Sequence, residues 1–342
     1  MKILSALRQI PLFSHFSDAH LESLADSATL QEIAAGATIF RSAGPAYDLH
    51  AVDVGKVRLW RPTAYGQFAL RTVSSGDLLG ESSYITQRAR SNNAEAITPV
   101  KLVTCKVSSL TTISEKDKAF NLALMWAFWR SLSAKLRLAN ERLATFFSQH
   151  VGSEDKPHFQ APVGKRQKVR IDMASKRSLF QEQKLSAMEI NFLSSLCKEV
   201  QFARHQSIFS ENEPGDTMYV VLDGKVMISK FIPGAGEEAL AFLGRGSYFG
   251  EMALIDKQPR SAHASAHSDG AVLLAIHRDV LEGILDIGKV SSSRLLQIFC
   301  TMVSERLAEV DEKLVGWYIL AGGTDASSAP SGSGTQIPPP QI

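Results

Sequence analysis

The stretch Phe249 to Ala262, FGEMALIDKQPRSA, places a glutamate and an arginine nine positions apart, each beside small residues. It follows GRGSY, whose glycines permit tight turns, and Glu251 to Ile255 are mostly good helix formers, so the pattern predicts a helix of one to two turns. The first N–H groups of such a helix are unpaired and carry the positive end of its dipole, which suits an anion. Arg260 returns a guanidinium that matches two phosphate oxygens, and Ser261 adds a hydroxyl donor. Glu251 repels a phosphate but accepts a hydrogen bond from a sugar hydroxyl. A ribose with a phosphate satisfies the whole set.

This run resembles the phosphate-binding cassette of cyclic nucleotide-binding domains, the family of the catabolite activator protein, protein kinase A regulatory subunits and gated channels. The resemblance implies a cyclic nucleotide ligand, cAMP or cGMP, with no further cofactor and no metal. It puts the ribose 2′-hydroxyl on Glu251 and the cyclic phosphate on Arg260. Ser261 and Ala262 complete the cradle, Gly250 supplies the turn, and Met252 and Ala253 open the short helix. Upstream, EPGDTMYVVLDGKVMIS (Glu213 to Ser229) reads as a turn, an apolar strand and a hairpin, the family's other marker. Further strand runs at Glu238 to Gly244 and Ala271 to His277 suggest a jelly-roll-like barrel.

Sliding the chain by 170 positions sets GESSYITQRARSNNAEA (Gly80 to Ala96) on Gly250 to Ala266 without a gap, and seven of the seventeen positions are identical. Gly80, Glu81, Arg90 and Ser91 are among them. VGKVRLW (Val54 to Trp60) matches DGKVMIS, and Ile10 to Ala25 looks like the helical lead-in of bacterial domains of this type. The expected architecture is α+β: two jelly-roll β-barrels in tandem, each with flanking helices and a long C-terminal helix. Its domains are 1–150, a basic linker 151–178, a second domain 179–320, and a Gly/Ser/Pro-rich tail 321–342 expected to be disordered. The first copy departs from the pattern. Ser82-Ser83 replaces Met252-Ala253, Ala89 replaces the proline, and Asn92-Asn93 follows Ser91. Serines weaken a short helix, so the first site is expected to be the less preorganised one.

A hydrophobic fraction of 44% and a charged fraction of 21% describe a globular chain that buries a core. Residues 1–150 carry a net charge of +5, 151–178 carry +4 and the remainder −7. The basic linker GKRQKVR (Gly164 to Arg170) is expected to be a solvated loop, with nucleic-acid binding as an alternative. Three widely spaced cysteines show no metal-ligand spacing and point to a reducing compartment. The most hydrophobic run, Ala123 to Trp129, is far shorter than the roughly 20 residues of a membrane span, and no export signal is visible, so a cytoplasmic location is expected.

Two long helical patterns, Lys118 to Phe147 and Ser293 to Leu320, follow the two barrels. The family's corresponding helix caps the nucleotide and often dimerises, so a homodimer through these helices is a candidate assembly. By the same resemblance Thr301 or Ser304 would lie over the purine of the second site. No helix-turn-helix, catalytic motif set or channel span is expected, so DNA is not an expected partner and no enzyme activity is implied. The leading expectation is a cytoplasmic receptor that changes contact with an unknown protein partner on binding nucleotide. A dimeric scaffold with relic cassettes and a cyclic dinucleotide receptor are the alternatives.

Overall fold

Short apolar runs separated by glycine turns give strands, and the long apolar periods of 3–4 residues give helices. The computed structural model describes residues 2–150, 167–169, 171–183, 185, 187–232, 236–284 and 293–323. The first half opens with helix α1 (Lys2–Arg8), a 3-10 turn (Pro11–Phe13) and α2 (Asp18–Ser27). Ser17 caps α2, accepting from His20 N at 3.2 Å while His20 Nδ1 accepts from Ser17 N at 3.3 Å. Strands β1 (Ala28–Ile33), β2 (Thr38–Phe40), β3 (Asp48–Val54), β4 (Lys56–Thr63), β5 (Gly66–Ser74) and β6 (Leu78–Leu79) lead to the short helix α3 (Glu81–Thr86). Then come β7 (Asn93–Ala96), β8 (Val100–Lys106), α4 (Val107–Lys116) and the long α5 (Lys118–His150).

The second half repeats this order. It runs β9 (Gln167–Lys168), α6 (Met173–Glu182), α7 (Ala187–Leu196), β10 (Lys198–Phe202), β11 (Ser207–Phe209), β12 (Thr217–Ile232) and β13 (Gly236–Leu243). β14 (Tyr248–Phe249), α8 (Met252–Asp256), β15 (His263–His277), α9 (Arg278–Ile284) and the long α10 (Ser293–Leu320) complete it.

Among the described residues all strand pairs are antiparallel. In the first half they form two four-stranded sheets, β1-β8-β3-β6 and β2-β7-β4-β5, which meet over Val52, Val57, Leu59, Val73, Leu79 and Leu102. In the second half the equivalents of β3 and β4 are fused into β12, and those of β7 and β8 into β15. One sheet path, β13-β12-β15-β10-β9, results, with β11 and β14 attached. Register shifts at Val221/Asp223 and Gly224/Lys225 let it fold over a core that includes Phe209, Tyr219, Val221 and Phe249. Neither half closes into the barrel suggested by the sequence; both stay as open, jelly-roll-like sheets. The expected domain boundary at 178/179 falls inside α6, where Lys176 is buried against Glu199 and Leu179 is fully buried. The described end of the basic linker is therefore part of the second packing unit. Residues 151–166 of that linker and 324–342 of the tail lie outside the described residues.

The two halves are joined along α5 and α10. Trp129 and Phe299 pack with ring centroids 4.9 Å apart, and Cys300 Sγ donates to Met125 O at 3.4 Å. Equivalent positions share an offset of 171: Phe128 with Phe299, Leu136 with Leu307, and Leu143 with Leu314, all buried. The helix faces that the sequence offers for pairing thus meet within one chain. The three cysteines are free and buried, and burial pushes their thiols up, Cys105 to about 12 and Cys197 to about 11. Among the described residues no helix is long and apolar enough to cross a membrane.

Phe299, 1% exposed, lies in this seam. Phe299→Ala is expected to cost about 3–5 kcal/mol, read as a lower denaturant midpoint. A loss below about 1 kcal/mol would show that the seam is not where the halves are held.

Candidate functional site

Each cassette is built on a glycine that lets an arginine cross it. Gly80 and Gly250 have φ of +100° and +78°, and a Cβ on either would sit 2.2 Å from Arg90 Nη1 or 2.7 Å from Arg260 Nη1. Only glycine tolerates both the backbone and the approach. The loops carrying the arginines are pinned in the same way. Ala43 N donates to Arg90 O at 2.8 Å and Asn212 N to Arg260 O at 2.9 Å.

The guanidiniums are buried, Arg90 at 4% exposure and Arg260 at 6%, and burial pushes both pKa values down. Arg260 Nη1 donates to Gly250 O at 2.6 Å and Nη2 to Thr217 O at 2.5 Å, with its plane 4.2 Å from the Phe209 ring centroid. Arg90 Nη2 donates to Asp48 O, and the group sits 4.5 Å from the Phe40 centroid. Arg90 Nε and Nη1 and Arg260 Nε are buried without a partner. A buried cation with unpaired N–H groups costs stability unless an anion or acceptor arrives.

The cassette glutamates are buried as well, each held by a cation from a long helix. Glu81 Oε1 accepts from Ser131 Oγ at 2.9 Å and from Lys135 Nζ, both on α5. Glu251 Oε1 accepts from Arg306 Nη1 on α10 at 3.2 Å, and Arg306 also donates to Tyr248 O. The clefts enclose only about 60 Å³ each, well short of the ~300–1,000 Å³ of small-molecule sites. A wider cavity of about 410 Å³ adjoins the first cleft and shares Ser82, Ser83, Ser91, Ser304 and Ala308 with it.

The residues singled out in the sequence converge. Gly250, Glu251, Met252, Ala253, Arg260, Ser261 and Ala262 line the second cleft. Gly80, Glu81, Ser82, Arg90, Ser91 and Asn92 line the first. Ser82 and Ser83 lie within α3, which has six residues against five for α8, with Thr86 Oγ1 donating to Ser82 O at 2.8 Å. One expectation changes: Thr301 and Ser304 do not line the second cleft. Thr301 bonds Gln297 O of its own helix at 2.9 Å, and Ser304 lines the first cleft, because the turn of α10 aims that face across the seam.

Each long helix in fact serves both clefts. Lys135 of α5 faces the first cleft while Leu136 and Asn140 face the second; Arg306 of α10 faces the second while Leu307 and Asp311 face the first. Arg137 reinforces the exchange, donating to Asp256 Oδ2 at 2.7 Å and to Pro259 O at 3.0 Å. Asn140 Oδ1 is buried without a partner in the second cleft. In the first, Asp311 is held by Arg71 and by Asn92 Nδ2 at 3.3 Å, while burial pushes its carboxyl up. Sequence reasoning missed all of these helix residues. The 171-residue offset that pairs Lys135 with Arg306 was the available signal.

The chain belongs to the cyclic nucleotide-binding domain family, whose description matches residues 30–117 and again 199–287, slightly more than half of its length. It carries two such domains in tandem. Among its relatives is the CRP-like cAMP-activated global transcriptional regulator of Mycobacterium tuberculosis, 30% identical over 114 residues, which are 32% of this chain and 50% of that one. The cyclic AMP receptor protein of Thermus thermophilus is 31% identical over 130 residues, 38% of this chain and 58% of that one. The cAMP-dependent protein kinase regulatory subunit of Mycosarcoma maydis is 33% identical over 84 residues, 25% of this chain and 16% of that one. The chain thus spans about half the length, or less, of these curated relatives.

His50 sits under the first cassette, 5% exposed, with Nδ1 2.9 Å from Thr104 Oγ1 and its ring stacked on Phe40. Burial, with Arg90 adding to it, holds its pKa at about 4 against 6.5 unfolded. The unfolded chain therefore binds the proton first, and stability falls as pH drops from about 6.5 to about 4. Urea unfolding at pH 7 and pH 5 is expected to show this loss in the parent and a smaller one in His50→Gln. An equal loss in both would place the acid sensitivity elsewhere.

Proposed function

We propose that the chain is a cyclic nucleotide receptor without chemistry of its own, in which ligand entry frees the cassette glutamates from α5 and α10 and so changes a surface for a protein partner. The observation that carries this reading is the pair of buried guanidiniums with unpaired N–H groups, each in a cleft with a buried glutamate. That combination fits a cyclic phosphate on the arginine and a ribose hydroxyl on the glutamate. The relatives' names, a cAMP-activated regulator and a cAMP-dependent kinase subunit, support a cyclic nucleotide as the ligand.

The second cleft suits adenine. Ile228, Leu240 and Ala241 give it an apolar wall, and the unpaired Asn140 Oδ1 accepts from an exocyclic amino group. The first cleft is blocked at the equivalent place by the Arg71–Asp311 pair, so cAMP fills the second first. α10 makes ion pairs with both cassette regions, Arg306 with Glu251 and Asp311 with Arg71, so its position responds to ligand in either.

Calorimetry with cAMP tests the assignment. Arg260→Ala removes a charge-assisted contact of about 1.5–3 kcal/mol and is expected to weaken the tight phase by about one to two orders of magnitude. Arg90→Ala is expected to leave that phase in place. Unchanged affinity in the Arg260 variant, or loss of the tight phase in the Arg90 variant alone, would sink the assignment.

A further inference from the structure

The space between helix and cassette differs in the two halves at one equivalent position. Arg137 on α5 corresponds to Ala308 on α10 by the 171-residue offset, and Asp256 and Pro259 correspond to Thr86 and Ala89 by the 170-residue offset. In the second half Arg137 bridges from helix to cassette, with Nη2 2.7 Å from Asp256 Oδ2 and Nη1 3.0 Å from Pro259 O. In the first half Ala308 ends at its Cβ, and a cavity of about 410 Å³ stands between α10 and the cassette, with Thr86 and Ala89 in its wall. That volume falls within the ~300–1,000 Å³ of small-molecule sites.

The cavity joins the first cleft on its phosphate side. Common to both are Ser82 and Ser83 at the start of α3, Ser91 next to Arg90, and Ser304 and Ala308 of α10. Ser304 is 2% exposed, and its Oγ is buried without a partner. At the outer wall Arg61 pairs with Glu312, and the largely exposed Arg88 lies 3.8 Å from Glu305. The other end of the cleft is taken by the buried Arg71–Asp311 pair, which lies outside the cavity. Room for a larger ligand therefore extends from the phosphate, not from the base.

We propose that this cavity is a subsite for a second nucleoside, so that the first cleft takes a phosphodiester-linked dinucleotide while the second is confined to a cyclic mononucleotide; this rests on the receptor reading above. A phosphodiester on Arg90 has one ester oxygen on the ribose held by Glu81. Its other ester oxygen carries the second nucleoside, and the only wide space on that side is the cavity behind Ser82, Ser83 and Ser91. Serine hydroxyls there exchange hydrogen bonds with ribose and phosphate oxygens in place of water. Charge selects against the other ligands that extend from a phosphate, the nucleoside polyphosphates. Arg61 and Arg88 each have a glutamate partner, so the wall is neutral and several further negative charges would find no counter-ion. A second nucleoside adds volume and hydroxyls without that charge. In the second half Arg137 fills the corresponding space, so a ligand there must end at its phosphate. Linear 3′,5′-linked and cyclic dinucleotides share the chemistry required.

The test is calorimetric titration of the full chain carrying Arg260→Ala, which disables the second cleft. The probes are the linear and cyclic dinucleotides of adenine and of guanine, the two cyclic mononucleotides cAMP and cGMP, and ATP and GTP. At least one dinucleotide is expected to bind about tenfold or more tighter than every mononucleotide probe, and whether the linear or the cyclic form leads identifies the source. Adding Ala308→Arg, which supplies the side chain found at position 137, is expected to weaken that dinucleotide by about tenfold or more. Ala308→Gln fills the same space without charge and is expected to weaken it too, with thermal melting confirming which variants fold. Dinucleotides that bind no tighter than cAMP and cGMP, a triphosphate that outdoes them, or dinucleotide affinity unchanged in the folded Ala308 variants each overturns the inference. Those failures leave tight cAMP binding to the parent chain intact; absence of that binding is the separate result that takes the receptor reading down with it.

Discussion

The seam between α5 and α10 is the constraint on which the other features depend. Each helix buries one face against the other around Trp129, Phe128 and Phe299, and a helix fixed there has residues left over on two further faces. At 3.6 residues per turn, Lys135 and Leu136 point about 100° apart, enough to reach different clefts. The same holds for Arg306 and Leu307. Two tandem domains whose helices each packed only on their own sheets would have separate sites. Here each cleft takes wall residues from both halves.

That arrangement explains why so many charges are buried. Lys135–Glu81, Arg306–Glu251 and Arg71–Asp311 are ion pairs at low exposure, and such pairs roughly break even against desolvation. Their value is in geometry rather than net stability. A buried carboxylate cannot be packed in an apolar wall without a partner, and in each cassette a cation on a long helix supplies one.

The cassettes were legible in sequence because their logic is local. Gly80 and Gly250, the glutamates after them and the arginines nine positions on lie on one loop, and the Arg–Gly approach requires that spacing. The repeat was legible too, since seven identities in register survive a single offset. Barrel closure was not, because whether β3 and β4 break or fuse into one strand depends on pairing across the sheet, not on the runs themselves. The helix contributions were also hidden. Thr301 and Ser304 were read for hydroxyl chemistry and sequence distance, whereas the face each shows is set by the seam, and nothing local says that α10 turns Ser304 and Asp311 towards the first domain.

The asymmetry between Asn140 and Asp311 gives the pseudo-twofold design a direction. The amide in the second cleft has a buried acceptor without a partner. The carboxylate in the first is paired with Arg71, and it sits on the same helix as Arg306, five residues away, within one and a half turns. The helix is continuous between them, so a shift of α10 that freed Glu251 from Arg306 would carry Asp311 with it. On the receptor reading, a ligand that separated Arg71 from Asp311 would act back on the second cleft with equal free energy, because coupling between binding sites is reciprocal. Such a coupling would need no contact between ligands, only the continuity of α10 between residues 306 and 311.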